Sequence, residues 1–592
     1  MRLIYFLLVF ISTFTFSQAS IEYSLSFENI AHHELRVEVK FKEIKSPTLE
    51  IRMPDASPGR YAGHNFAKNV YEEIAQDASG NKVKLDRLSP SSWLAEVKDG
   101  QVTFSYTIYG NYADGTYLGV DARKVHMNMP ATFVYGVDLD DRKIRLTIPK
   151  VEGWDVASQL QRINDNVFSA PNYYYFYDSP TMVGEIDWRR WTVQGQTIEV
   201  AMQHEGTTEE LDNYVEWIEK VVAQHVKQMG DIPKFDFGRY TFLISYNPWV
   251  HGDGMEHRNS TVCTSTQTLK ENAIGLIRTI SHEFFHAYNI ERIRPASLEP
   301  FDFDKPNQSE ALWFGEGFTD YYDRLTLTRT GITTQEEFIS GQIYRLNIVI
   351  NGPGRTFRSA IEMSQQAPFK DAGTANDDTN FENTFVSYYV YGSIIALGLD
   401  LTLRSEFNTT LDEYMRLVWA AYGKTEKPYT MTDLGKTLAK VSDEQFARTF
   451  FKEQIYGNKL PDFKMLLDQF GVKLSLQSPE SVYFANPRLD ANKKLITPSL
   501  RGTALYEAGM ETGDILLTVD GRIIDNTSDL NRIINSLEVG KTYKVTFEQM
   551  GIKKSGSFVG RQDPRITLSY LPESKIKGKE IKQRNAWLGF TK

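Results

Sequence analysis

Five consecutive residues, His282-Glu283-Phe284-Phe285-His286, constrain this chain more than any other feature. In an α-helix, positions i and i+4 lie on one face, so the run sets two imidazoles side by side and brackets a carboxylate. Apolar residues at Ile274, Ile277, Ile280, Phe284, Phe285 and Ala287 predict a largely buried helix over residues 272–289. Buried imidazoles need partners for their ring nitrogens. A divalent metal between His282 and His286 supplies one, and a third ligand is then expected from an acidic residue elsewhere.

Further along comes Leu312-Trp313-Phe314-Gly315-Glu316-Gly317-Phe318-Thr319-Asp320. Glu310, Glu316 and Asp320 are the candidate carboxylates. Glu316 and Asp320 fall one turn apart on one predicted helix face. That spacing suits Glu316 on the metal and Asp320 behind it, orienting an imidazole through its free N–H. A pair of solvated helix charges would fit poorly beside Leu312, Trp313, Phe314 and Phe318. Two His and one Glu leave a fourth position for a reacting water. Glu283 is too close in sequence to the histidines to share the ion, and it is placed to accept that water's proton. One zinc ion per chain and hydrolysis of peptide bonds are the expected chemistry.

Composition sets the surroundings of this site. At 592 residues the chain exceeds what one core supports, and about three domains are expected. A net charge of −10 and a pI near 5.7 argue against nucleic acid as the main partner. Arg2, an apolar run over residues 3–16 and Ser17-Gln18-Ala19 predict an export signal at residues 1–19, cleaved after Ala19. Ser12, Thr13, Thr15 and Ser17 polarise this run too early for an anchor, so no membrane span is expected after cleavage. The expected location is exported, periplasmic or secreted. Cys263 is the only cysteine, which excludes an intramolecular disulfide, and it is expected as a small half-buried side chain.

Short alternating runs such as Leu35-Arg36-Val37-Glu38-Val39-Lys40-Phe41 predict an N-terminal β-sandwich-like domain over residues 20–179. Helical periodicity then dominates. Residues 209–229, 310–329, 334–350, 385–404, 412–422 and 431–441 predict a mainly α-helical catalytic domain over residues 180–475. One strand, residues 240–246, and a glycine-containing loop precede the metal helix. A further module is expected at residues 476–572, followed by a basic, solvated C-terminal tail at residues 573–592.

The resemblance to a known family is carried by several segments. His282-Glu283-Phe284-Phe285-His286-Ala287-Tyr288-Asn289 followed by Arg292-Ile293-Arg294-Pro295, with Glu316-Gly317-Phe318-Thr319-Asp320-Tyr321-Tyr322, is similar to the two signatures of the glycyl aminopeptidase family of zinc metallopeptidases. Tyr288 stands where that family usually has Trp, and Glu291 where it commonly has a basic residue. Residues 54–61 and 177–180 resemble landmarks of its N-terminal domain. The resemblance implies a gluzincin (thermolysin-like) catalytic domain. It also implies that Gly254-Met255-Glu256-His257 forms a substrate-binding loop, with Glu256 on the free α-amino group and His257 in place of the wider clan's Asn. Tyr389, in Tyr389-Val390-Tyr391-Gly392, would donate to the oxyanion, with Tyr388 and Tyr391 as competitors. The module around Gly513-Asp514-Ile515-Leu516 resembles a PDZ domain, which implies a peptide or protein C-terminus as a possible partner.

The resulting expectation is an exported zinc aminopeptidase acting on peptides with a free N-terminus, with small residues such as Gly or Ala preferred. A zinc endopeptidase using the same metal without the amine anchor is one alternative. A non-catalytic peptide-binding scaffold is the other, and the intact His282, Glu283, His286 and Glu316 set speaks against it.

Overall fold

The computed structural model describes residues 20–370 and 378–589, so the expected signal at residues 1–19 lies outside the described residues. The chain divides into two compact units. One comprises Met1–Pro54, Asn65–Ala113 and Tyr117–Ile186; the other comprises Asp55–His64, Asp114–Thr116 and Asp187–Lys592.

The first unit is β-rich. Strict alternation buries every second side chain of Ile21–Ser26 and Glu34–Phe41, the pattern of strands with one face on a core. These two strands sit in a seven-stranded sheet in the order Gln161–Asn164, Val167–Ala170, Ile144–Thr147, Ile21–Ser26, Glu34–Phe41, Val102–Tyr109, Val70–Gln76. Two four-stranded sheets complete the unit. Trp93 of one of them packs on Phe104 of the large sheet with ring centroids 5.5 Å apart, so sheet faces sheet through aromatic side chains.

The second unit holds the metal helix. Its helices include Thr208–Met229, Leu269–His286, Leu312–Arg329, Gln335–Asn351, Tyr388–Glu406 and Met431–Val441, close to the runs of helical periodicity. The expected mainly helical lobe also carries a five-stranded mixed sheet in the order Asp187–Val193, Gln196–His204, Arg239–Tyr246, Ser260–Ser265, Asp253–His257. Asp253–His257 is an edge strand paired antiparallel to Ser260–Ser265, where the sequence had suggested only a loop. Gly252 and Gly254 hide it from strand periodicity. Cys263 is fully buried in its partner strand rather than half-buried.

Residues 55–64, expected within the N-terminal domain, pack with the catalytic unit. Asp55 and Ala56 donate their backbone N–H groups to the Phe303 carbonyl at 3.0 and 3.1 Å. The C-terminal tail also departs from expectation. Gly578–Leu588 is a helix with Arg584, Trp587 and Leu588 buried. Trp587 Nε1 donates to the Tyr321 hydroxyl at 2.8 Å, and the Arg584 guanidinium lies 4.0 Å from the Tyr570 ring centroid. Two apolar residues and a stacked cation anchor what its lysines made look solvated. Between these elements, Arg522–Ile523, Ile515–Val519, Thr542–Gln549 and Ile552–Val559 form a four-stranded sheet whose core includes Leu516, Val545, Phe547 and Leu530. Among the described residues, no helix is long and apolar enough to cross a membrane.

Candidate metal centre

The metal helix Leu269–His286 begins at Thr268, whose backbone N–H and hydroxyl both reach Glu271 Oε2, at 2.9 and 3.1 Å. Its inner face buries Ile277, Ile280, Phe284 and Phe285 against the sheet and the neighbouring helices. His225, on Thr208–Met229, grips the helix one residue before the first ligand candidate: its Nε2 lies 3.0 Å from the Ser281 carbonyl. Burial pushes the His225 pKa down to about 3, so it acts as a neutral strut.

The Glu316 helix, Leu312–Arg329, crosses Tyr388–Glu406 backbone to backbone. A Cβ on Gly317 would lie 2.3 Å from Gly392 Cα, and a Cβ on Gly392 2.0 Å from the Trp313 carbonyl oxygen. Only glycine permits this approach. It places Tyr389, three residues before Gly392, with its ring stacked 6.1 Å from His282. Tyr388 stacks on Tyr389 at 5.0 Å, and Tyr391 is buried.

The two Nε2 atoms converge on one oxygen: His286 Nε2 and His282 Nε2 lie 3.2 and 3.7 Å from Glu316 Oε2. Zinc bonds of about 2.0–2.1 Å in tetrahedral array put ligand atoms roughly 3.3 Å apart, so this donor set fits the ion. Glu316 Oε2 and Glu283 Oε2 are buried and have no hydrogen-bond donor, as expected of atoms that face a cation or a reacting water. Burial alone would strip the proton from His286, but Glu316 and Glu256 hold its pKa at about 9; the same anionic field favours a dication. Burial raises the Glu283 pKa to about 7, with the imidazoles opposing. Glu310, the third carboxylate candidate, stands outside the cluster.

The imidazoles are oriented through their Nδ1 atoms. His286 Nδ1 lies 2.8 Å from the Asn289 carbonyl, and the Asn289 side chain donates to the Phe314 and Gly315 carbonyls at 3.0 Å each. For His282 the partner is Asp323, whose Oδ2 lies 3.1 Å from Nδ1. The expectation for Asp320 is therefore corrected: Asp320 is drawn away by Arg345, whose Nε and Nη2 reach its carboxylate at 3.1 and 2.5 Å. Tyr61 is a partner no local pattern revealed, and its hydroxyl donates to Glu316 Oε1 at 2.8 Å.

The edge strand brings the remaining candidates to the cluster. Glu256 is buried, and a carboxylate oxygen of it lies within 4.8 Å of Glu283 and His286 ligand atoms. Burial raises its pKa, with His286 opposing. Gly254 lets the strand approach the helix: a Cβ there would lie 2.3 Å from Glu283 Oε1 and 2.9 Å from Thr279 Cγ2. Met255 is buried against Gly59 and Gly115, so only its backbone is available to a ligand on the metal side. Arg60 pairs with Asp253 at the start of the strand.

Parts of the chain are similar to known proteins. Residues 22–185 match the peptidase M61 N-terminal domain, and residues 275–395 match the M61 glycyl aminopeptidase domain. Among solved structures, an aminopeptidase N family protein from Idiomarina loihiensis is similar with a TM-score of 0.83 at 22% identity, over 96% of this chain and 100% of that one. That likeness shows a shared fold. Native yeast LTA4 hydrolase aligns with a TM-score of 0.45 at 15% identity, over 76% of this chain and 70% of its own. Its complex with bestatin gives 0.44 at 16%, over 75% and 67%. No curated protein sequence matches the chain. The two M61 matches lie in chain order and the second spans the two histidines, Glu283 and Glu316; the chain is a metallopeptidase similar to the M61 peptidases over residues 22–185 and 275–395.

Proposed function

We propose that the protein is an exported zinc-dependent aminopeptidase, periplasmic or secreted, that binds one zinc per chain and removes small N-terminal residues from peptides. The observation that carries this reading is the buried Glu256, held on an edge strand within 4.8 Å of Glu283 and His286. A buried carboxylate that pairs with no guanidinium or ammonium among the described residues suits a substrate's α-ammonium. Fixing that group fixes the scissile bond one residue from the terminus. His282, His286 and Glu316 would hold zinc, which when bound supplies Lewis acidity that polarises a carbonyl and acidifies water.

The chain's own residues supply the rest. Glu283 takes a proton from the attacking water and passes it to the leaving amine. Tyr389 donates to the oxygen of the scissile carbonyl as negative charge develops there. Asp253–His257 is the last strand of its sheet, an edge of the kind to which an extended peptide can add. Preference for Gly or Ala follows the family resemblance, and the row of Tyr61, Tyr388 and Tyr389, with centroids 6.2 and 5.0 Å apart, suits a narrow first subsite. Export rests on the leader pattern, and the PDZ-like reading of the module around Gly513 on its motif.

The test is hydrolysis of alanine and glycine p-nitroanilides with free and acetylated amines, with and without chelator, in the wild type and Glu256→Ala. Free-amine substrates should be cleaved only with metal, acetylated ones not at all, and the variant should lose at least about tenfold in kcat/KM. Equal cleavage of acetylated peptides would instead mark an endopeptidase. Sequencing of the secreted protein's N-terminus should begin at Ser20.

A further inference from the structure

A cleft of about 680 Å³ borders Gly254 on the edge strand and Arg278 and Thr279 on the metal helix. It is lined by Gly254, where a Cβ would lie 2.3 Å from Glu283 Oε1, by Thr279, and by Arg278 and Arg324. Position on the helix gives it a direction. Arg278, His282 and His286 are spaced by four residues, so they follow one another along one face of the metal helix, about 6 Å per step. Glu256 stands at the His286 end. The cleft lies at the opposite end, one turn before His282. Along the edge strand and the residue before it the same order runs Glu256, Gly254, Gly252, with the last two lining the cleft. Leaving residues that follow the metal helix away from Glu256 would enter this cleft.

The charges of the cleft are unequal in availability. Its carboxylates, Asp253 and Glu337, are already engaged. Asp253 accepts from Arg60 and from the Gly115 N–H at 3.0 Å, and Glu337 accepts from the Thr334 N–H and hydroxyl at 2.7 and 2.8 Å. Its guanidiniums are less fully engaged, Arg324 holding only long ion pairs. Arg278 is exposed and has no carboxylate partner among the described residues. Arg324 lies 4.0 and 3.8 Å from Asp320 and Asp323, whose shorter bonds go to Arg345 and His282, and its buried Nε has no hydrogen-bond partner. Two cations with spare donors face a space large enough for several residues, and their mutual repulsion is relieved by an anion.

We infer that Arg278 and Arg324 bind a carboxylate on the leaving side of the substrate, so that the enzyme favours short peptides carrying a negative charge within two or three residues of the scissile bond. The inference rests on the aminopeptidase reading above. An extended peptide advances about 3.3–3.6 Å per residue, so a group two residues past the cluster comes level with the reach of Arg278 one helical turn away. The carboxylate can be the C-terminus of a tripeptide or an acidic side chain. Both present the same planar oxygen pair to a guanidinium.

The experiment compares kcat/KM for Ala-Ala-Ala, Ala-Ala-Ala-amide and Ala-Ala-Asp-amide in the zinc-loaded enzyme, in the wild type, Arg278→Ala, Arg278→Glu and the double variant Arg278→Ala/Arg324→Gln. Ratios are taken within each variant, so a general loss through Asp323 and His282 cancels. Expected in the wild type is a preference of about tenfold or more for a carboxylate-bearing peptide over Ala-Ala-Ala-amide. The first peptide reports a terminal carboxylate and the third a side chain. The ratio should fall towards one in the double variant and below one in Arg278→Glu. A wild-type ratio near one, or a preference unchanged in the double variant, overturns the inference while leaving the aminopeptidase reading intact. Failure to cleave any free-amine peptide would instead defeat that underlying reading.

Discussion

The two ends of the metal helix hold their imidazoles in different ways. His286 rests on a backbone carbonyl, that of Asn289, in a turn that is itself tied to the Glu316 helix through two further carbonyls. His282 rests on a side chain, Asp323, in a network that includes Arg324, Asp320 and Arg345. The surroundings differ as well. Carboxylates are buried at both ends, Glu256 beside His286 and Asp320 and Asp323 beside His282, but at the His282 end guanidiniums accompany them, with Arg278 and Arg324 lining the cleft. One end is fixed by main chain; the other is fixed by side chains and bordered by cations. The contrast gives the site a polarity that matches a peptide's own, amine first and carboxylate last.

Glu283 stands between the two ends, and its replacement should have the largest effect. Glu283→Gln keeps the imidazoles and Glu316 untouched, so zinc content should stay near wild type while kcat falls by about 10²–10⁴. Retained turnover with retained zinc would remove Glu283 from proton transfer. The next test breaks the side-chain end alone. Asp323→Ala should weaken zinc binding by about 10–100-fold in a chelator competition, because the His282 ring loses its orienting acceptor. Asp320→Ala should move zinc affinity much less and instead destabilise the fold by about 3–5 kcal/mol in chemical denaturation, since it strands the Arg345 guanidinium at a buried position. Reversal of these two outcomes would restore Asp320 as the orienting residue.

Asn289→Ala probes the main-chain end. The carbonyl that accepts from His286 remains, so zinc affinity should change less than about tenfold, while loss of the side-chain bonds should lower stability by about 1–3 kcal/mol. A zinc defect equal to that of Asp323→Ala would erase the distinction between the ends. The smallest effect concerns the strut behind the helix. His225 has a folded pKa of about 3 against an ordinary value of 6.5. Protons therefore favour the unfolded chain between those values, and this contribution to stability is complete above pH 6.5 and lost as pH falls towards 3. His225→Asn should remove that slope, at most about 1.4 kcal/mol per pH unit, so the stability gap to wild type should narrow on acidification. A gap independent of pH would mean that His225 is not buried neutral.

Local patterns revealed the parts of the site built from one helix at a time. The i, i+4 histidines and the apolar face around them are visible because helical spacing alone brings them together. Glu316 was legible because its neighbours are too apolar for a solvated charge. Parts assembled across the chain were not legible. Choosing Asp323 over Asp320 depends on Arg345, on another helix, which captures the nearer carboxylate. Tyr61 reaches Glu316 across 255 positions. The edge strand was concealed by the glycine that allows its close contact with Glu283. The C-terminal helix was concealed by its lysines, although Trp587 carried the signal of a buried anchor.

Anomalous scattering at the zinc edge from crystals of the zinc-loaded enzyme tests the central arrangement most directly. The account predicts a single strong peak in the catalytic unit, about 2.0–2.2 Å from Nε2 of His282, Nε2 of His286 and Oε2 of Glu316. A peak held by other residues, or a Glu316 carboxylate turned away from it, would contradict the account.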